Sequence, residues 1–321
     1  MSTPALNIPR PGPKPVAAAP RPNRMTLDKV THGKLRKPYR ITIYGVEGIG
    51  KSTFAANAPK PIFLGAEQGT NHLDVARMPA PETWADVLDA IETLRKEPHE
   101  FQTLAIDSLD WMEPLLNQEV CKRNGWENLE TPGYGKGPTA ALDEWRKFVG
   151  ALEKLQSERG MHLVLIAHSV VKPFKNPEGP DYDRYILKIN PQAAGLVKEW
   201  SEDVLFANHE TFTQQDKQTK RHRGASSGVR LVYTVRTAAY DAKNRHNLPD
   251  SIPLGWSDYL AACNQGAAQN DVVRAAIREK AARLDDATKE KALGALDRAG
   301  EDPEKLAQLN TWVNSQLPAD N

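Results

Sequence analysis

The chain has 321 residues, 40% of them hydrophobic, and 42 Lys and Arg against 41 Asp and Glu, for a net charge of +1. That supplies a core for one large or two smaller domains, and the even charge argues by itself neither for nor against a nucleic-acid partner. No apolar run is long enough for a bilayer, the first residues lack the apolar centre of a signal peptide, and Cys121 and Cys263 stand far apart without metal-ligand spacing. The expectation is a soluble cytoplasmic protein with free thiols and no membrane contact.

Residues 1 to about 37 carry Pro9, Pro11, Pro13, Pro15, Pro20 and Pro22, and the first 40 residues hold nine Lys or Arg against one acid, Asp28. Such a stretch cannot build a core, so 1–37 reads as a disordered basic Pro-rich arm, either a solvated tail or a contact for nucleic-acid backbone. Arg40 to Tyr44 is a short β-rich run. Gly45-Val46-Glu47-Gly48-Ile49-Gly50-Lys51-Ser52 follows and matches the phosphate-binding pattern G-x-x-x-x-G-K-[ST], with a helix predicted from Ser52 to Asn57. Strand, glycine-rich loop and helix let backbone N–H groups curl around a phosphate, with the helix start adding partial positive charge. Gly45, Val46, Glu47, Gly48, Ile49, Gly50, Lys51, Ser52 and Thr53 are therefore the expected nucleotide-binding residues. Lys51 would reach the β- and γ-phosphates, Ser52 would ligate Mg²⁺, and Glu47 would face solvent.

Pro61 to Leu64 reads as a strand running on to Glu67. Trp84, Val87, Leu88, Ile91 and Leu94 form a helical apolar stripe over about 83–96, ended by Pro98. Thr103 to Asp107 reads as a buried strand ending in an acid, the position that holds Mg²⁺ downstream of such a loop, and Asp110 starts the next helix, 109–123. A loop over 124–138 carries Tyr134 and Lys136 and suits either base stacking or plain connection. A helix over 140–158 leads into the strand His162 to Ala167, whose tip sets His168 as a candidate γ-phosphate sensor.

Val170 to Tyr185 reads as a loop in which Lys172, Lys175 and Arg184 mix with Phe174 and Tyr182, a composition suited to single-stranded nucleic acid. A strand at 203–208 precedes a hairpin between about Thr211 and 229–236, with Lys217, Lys220, Arg221, His222 and Arg223 at its tip. Lys243 and Arg245 stand one residue apart. The core is expected to span 38–262. From 265 to 321 the composition changes to Ala, Glu, Lys, Asp and Leu, which fits three short helices split near Asp286 and Gly300.

Alternating strands and helices predict an α/β fold, a mostly parallel central sheet with helices on both faces and nucleotide at the carboxyl ends of its strands. Many ATPases of the AAA-plus kind place a Glu directly after such an Asp. Here Ser108 follows Asp107, so by that resemblance the catalytic base comes from elsewhere, and Glu67, ending the strand after the loop's helix, could reach the attacking water.

This layout resembles the RecA-like ATPases in Leu64-Gly65-Ala66-Glu67, in Asp107-Ser108 and in a polar residue ending the next core strand, where His168 replaces the usual Gln. Lys243-Asn244-Arg245 resembles the Lys-x-Arg of replicative-helicase relatives that reaches a neighbour's γ-phosphate. Over about 38–260 the chain is most similar to phage AAA-family NTP-binding proteins of the single-strand-annealing, RecA-like recombinase type. The resemblance implies ATP and Mg²⁺, catalytic roles for Lys51, Glu67, His168, Lys243 and Arg245, single-stranded DNA as partner, a homo-oligomeric ring or filament, and the cytoplasm of a host cell. A hexameric helicase or loader motor is an alternative. Another is an ATP-dependent switch that binds proteins, such as a single-strand-binding or replication partner, through the tail without touching DNA.

Overall fold

The computed structural model describes residues 26–31, 37–65, 69–215, 222–300 and 302–317. The chain divides into residues 1–34 and 35–321. Of the first unit the described residues hold one 3₁₀ turn, Leu27–Lys29, with no buried side chain. Residues 1–25 and 32–36 of the expected arm lie outside the described residues.

The second unit carries the α/β fold that the sequence predicts. Its elements are β1 (Arg40–Gly45), α1 (Lys51–Ala56), β2 (Pro61–Leu64), β3 (Ala76–Arg77), α2 (Trp84–Lys96), β4 (Thr103–Asp107), α3 (Leu109–Asn124), α4 (Lys136–Arg159), β5 (His162–Phe174) and β6 (Tyr182–Leu187). They continue as α5 (Pro191–Trp200), β7 (Asp203–Gln215), β8 (His222–Tyr233), β9 (Ser251–Pro253), α6 (Trp256–Ala281), α7 (Asp286–Ala299) and α8 (Pro303–Gln316). The sheet order is β3-β2-β4-β5-β1-β7-β8-β9, with β6 paired to β5. From β3 through β7 the pairings are parallel, and β8, β9 and β6 join antiparallel.

Alternation along the strands sorts the core into two layers. Tyr44, Leu163 and Leu165 point toward α2, α3, α4 and α5, where Trp84, Trp145 and Phe148 pack as an aromatic cluster. Ile41, Ile43, Val164 and Ile166 point toward α1 and the start of α6, meeting Phe54, Trp256 and Tyr259. Helix α2 starts where the sequence says it should: Thr83 caps it, and Asp86 returns the bond in a capping box. The carboxyl ends of β1, β2, β4 and β5 thus share one edge of the sheet.

Three expectations need correction. Residues 170–185 are not a loop: β5 runs thirteen residues through Phe174 and folds back as β6, pairing Ser169 with Leu187 and Lys172 with Arg184. The strand at 203–208 continues past a bulge at His209–Thr211 to Gln215 and forms one long ribbon with β8. The tail begins with a 26-residue helix rather than a short one, and α6 runs across residues 262–265. Its first half belongs to the core of α1, while Ile277 and Ala281 pack with Leu296, Leu306 and Val313 of α7 and α8 in a separate cluster.

Candidate nucleotide-binding site

The phosphate-binding loop starts at the tip of β1, where Gly45 lies opposite His168 of β5 and Ala207 of β7. A Cβ on Gly45 would stand 2.0 Å from the Ala207 carbonyl oxygen, so no other residue lets β1 and β7 approach this closely. Gly50 has φ +112°, a left-handed conformation that turns the loop into α1. Ile49 is buried in the core beneath the loop, which anchors it, while Glu47, Gly48 and Thr53 are exposed and Val46 is half-buried. Lys51 is only 5% exposed, and its Nζ donates to the carbonyls of Gly45 at 3.1 Å and Val46 at 2.8 Å.

Ser52 sits one residue into α1 and Asp107 ends β4, and Ser52 Oγ donates to Asp107 Oδ2 at 2.5 Å. Asp107 is 7% exposed. Burial pushes its carboxyl above the usual range against the Ser52 bond and the nearby Lys51 charge. A hydroxyl and a buried carboxylate side by side, with cationic charge favouring the ionised acid, form an all-oxygen donor set that fits Mg²⁺.

His168 is brought to this site by register. Asp107 pairs with Ile166, so His168, two residues on, projects from the same face of the sheet as Asp107. Asp110, in the first turn of α3, accepts the His168 backbone N–H on Oδ1 at 3.0 Å and meets the ring Nδ1 with Oδ2 at 2.8 Å. Burial pushes the Asp110 carboxyl up, but the bonds from His168 outweigh it and hold the group below the usual carboxylate range. The sequence marked Asp110 only as a helix start; its distance of 58 residues from His168 hid the pairing.

Arg230 is the other residue that sequence reasoning missed. It is exposed on β8, donates to the Ile49 carbonyl at 3.3 Å, and with Leu254 flanks Gly50. No motif marks it, because the β7–β8 ribbon alone brings it to the loop across 181 residues.

Glu67 lies outside the described residues, as do Lys217, Lys220 and Arg221. Lys243 does not project outward. Its backbone bridges Val204 near the start of β7, and its Nζ donates to the carbonyls of Lys198 at 2.9 Å, Glu199 at 2.8 Å and Ser201 at 2.6 Å, closing the end of α5. Helix ends leave such carbonyls without partners, and a cation satisfies them. Arg245 is exposed, with its backbone N–H on Asp203 Oδ1. Both residues stand at the start of β7, about 10 Å along the strand from Ala207 and the loop.

Among the basic residues of the former loop, Lys172 and Lys175 are exposed but Arg184 is not. At 3% exposure its guanidinium donates to the carbonyls of Thr237 and Tyr240, pairs with Asp241 at 2.7 Å, and lies over the Phe174 ring. Beside the hairpin root a cavity of about 340 Å³ opens between α3, α4 and α5, lined in part by Trp145, Val170, Lys172 and Lys188. Tyr134 is fully exposed on the preceding loop. Among the described residues no helix is long and apolar enough to cross a membrane.

Comparison with known proteins bears on this site. The SPbeta prophage-derived uncharacterized protein YorG of Bacillus subtilis (strain 168) is 25% identical over 138 residues. That match covers 40% of each chain, so this chain spans well under half the length of that relative. A crystal structure of the RadB recombinase aligns over 69% of this chain and 90% of its own, at 12% identity and a TM-score of 0.39. The model of the AAA domain family matches residues 37–246, which take in β1, the phosphate loop, Asp107 and His168. With about two thirds of its length under that match, the chain belongs to the AAA domain family.

Proposed function

We propose that the protein is a P-loop ATPase that binds ATP with Mg²⁺, hydrolyses it, and acts on single-stranded DNA in phage recombination as a ring or filament of identical subunits. The observation that carries the nucleotide reading is the 2.5 Å bond between Ser52 Oγ and Asp107 Oδ2 next to Lys51 and the Gly45–Gly50 loop. On this reading Lys51 exchanges its two carbonyl partners for phosphate oxygens. Loop amides cradle the phosphates, and Arg230 steadies the nucleotide from the β8 side. Ser52 and Asp107 would hold Mg²⁺, which supplies charge to the phosphates as they develop negative charge. Glu67, beyond the end of β2, is the carboxylate that this reading sets beside the attacking water.

The DNA reading rests on exposed Lys172 and Lys175 on the β5–β6 hairpin, exposed Tyr134, and the cavity with Lys172 and Lys188 in its wall. The test is Lys51→Ala with binding and turnover measured together. Hydrolysis should disappear, and an ATPase rate close to that of the unaltered protein would discard the proposal. Salt-dependent binding of an oligo-dT separates the DNA part, since a strand held through phosphates weakens steeply with salt.

A further inference from the structure

We infer that His168, held by Asp110, is the group that takes the proton from the attacking water. The inference rests on the ATPase reading and deepens it. Three observations support it. Asp110 grips one residue with both carboxylate oxygens, the backbone N–H at 3.0 Å and Nδ1 at 2.8 Å. An ionised carboxylate only accepts, so the Nδ1 partner must be N–H, and the neutral ring then carries its lone pair on Nε2. Among the described residues no hydrogen bond to Nε2 is found, and His168 is 13% exposed, open enough to meet a water. The register places the ring beside Gly45 and on the Asp107 face, where the γ-phosphate end of a nucleotide lies when Lys51 and Ser52 hold it.

This arrangement differs from a phosphate sensor. A sensor donates a hydrogen bond to the γ-phosphate, and a neutral imidazole whose N–H is taken by Asp110 has none left to donate. It can accept. One water O–H bond breaks and its proton goes to Nε2. The water oxygen bonds to the γ-phosphorus, and the bond from that phosphorus to the bridging oxygen breaks, its electron pair leaving with ADP. The imidazolium, stabilised by Asp110, then releases the proton to solvent. His168 is the catalytic residue and Asp110 a positioning residue that sets the tautomer and aim of the ring.

The test uses the full chain, a fluorescent ATP analogue with Mg²⁺ for binding, and single-turnover hydrolysis of ATP. His168→Gln keeps a hydrogen-bonding side chain but cannot take a proton. It should bind the analogue within about twofold of the unaltered protein and hydrolyse ATP about a hundredfold or more slowly. His168→Ala should be equally slow and should regain activity as imidazole is added, a response that a structural role does not give. Asp110→Asn should lower kcat by about tenfold or more with KM little changed. Hydrolysis by His168→Gln within about threefold of the unaltered rate would overturn the inference while leaving the ATPase intact. If His168→Gln fails to bind the analogue, the imidazole response of His168→Ala decides, and no response overturns the inference; if His168→Ala fails to bind, the single-turnover rate of His168→Gln decides. An unaltered protein that binds no ATP analogue would remove the ATPase reading and this inference together.

Discussion

Ser52 Oγ and Asp107 Oδ2 lie 2.5 Å apart across the junction of α1 and β4, two side chains 55 residues apart in sequence joined at the site edge of the sheet. Burial raises the Asp107 carboxyl, and the Ser52 bond and the charge of Lys51 oppose that rise. A metal ion between them would finish the job of keeping the acid ionised. Asp107→Asn should therefore cut hydrolysis by about a hundredfold or more and remove the Mg²⁺ dependence of nucleotide binding. Ser52→Ala should act in the same direction, and the double variant should be little worse than the stronger single one, because the two act as one unit. Binding titrations with and without EDTA check this. Additive losses would mean that the residues do not share a metal.

Arg230 touches the phosphate loop but no reacting atom can be assigned to it. Its loss should weaken binding of ground state and transition state alike. Arg230→Ala should raise KM for ATP by about five- to tenfold and leave kcat within about twofold, the pattern of lost uniform binding. Steady-state kinetics decide. A fall in kcat with KM unchanged would place Arg230 in the chemistry instead.

The two kinds of basic residue around the β5–β6 hairpin should separate cleanly. Lys172→Glu with Lys175→Glu should flatten the salt dependence of oligo-dT binding, because exposed cations release counterions from phosphates. Arg184→Ala should instead lower the melting temperature. It removes the 2.7 Å partner of Asp241, which keeps Lys198 at 2.6 Å, and takes one donor each from the Thr237 and Tyr240 carbonyls, the latter keeping the Thr237 N–H, a loss of about 1–2 kcal/mol. An unchanged salt slope in the double lysine variant would move the strand contact elsewhere or remove it.

The contrast shows what the sequence could carry. The loop, its strand and helix, and Asp107 were legible because each is a local pattern: a fixed spacing of glycines, an apolar run, an acid at its end. The helical stripe of Trp84, Val87, Ile91 and Leu94 was legible for the same reason, and all four are buried. Lys172 and Arg184 looked alike in a row of basic and aromatic residues. Only the bridge between Tyr185 of β6 and Tyr240 places Arg184 against Asp241, a contact across 57 residues that no local pattern records. Asp110 with His168 and Arg230 with Ile49 were illegible for that reason too. The Pro-rich composition of 173–180 argued for a loop, but the hairpin accommodates Pro173 within β5 and Pro177 and Pro180 in its turn.

His246 gives the fold a pH dependence of known sign. Its Nδ1 meets Asp203 Oδ2 at 2.6 Å. Burial lowers its pKa, but the bond and charge of Asp203 outweigh this and leave it raised above 6.5. A raised histidine binds its proton more tightly when folded, so its contribution is present in full below the unfolded value and is lost as pH rises through the folded one. Urea midpoints should accordingly fall between about pH 6 and pH 8. In His246→Gln that slope should shrink. A slope as steep as in the unaltered protein would assign it to other groups.

The last prediction concerns Lys243 and Arg245, read from sequence as a pair of cations for a neighbouring subunit. Lys243 serves the fold. Lys243→Ala leaves three carbonyls at the end of α5 without their donor and should cost about 1–3 kcal/mol of stability. Arg245 has an exposed side chain, so Arg245→Ala should keep the fold and its nucleotide affinity. It stands beside Asp203 at the start of β7, about 10 Å along the strand from Ala207 and its own phosphate loop, and the trans reading gives it a part in hydrolysis on another subunit. A cation supplied in trans accelerates phosphoryl transfer by about a thousandfold or more, so the variant alone should be nearly inactive. Mixed with Lys51→Ala protein, it should regain part of the activity, because an assembly can then join an intact loop from one subunit to an intact Arg245 from the next. The measurement is ATPase rate against mixing ratio. A rate for Arg245→Ala equal to that of the unaltered protein, with nothing gained on mixing, would make Arg245 a surface residue worth little and remove the trans contact from the mechanism.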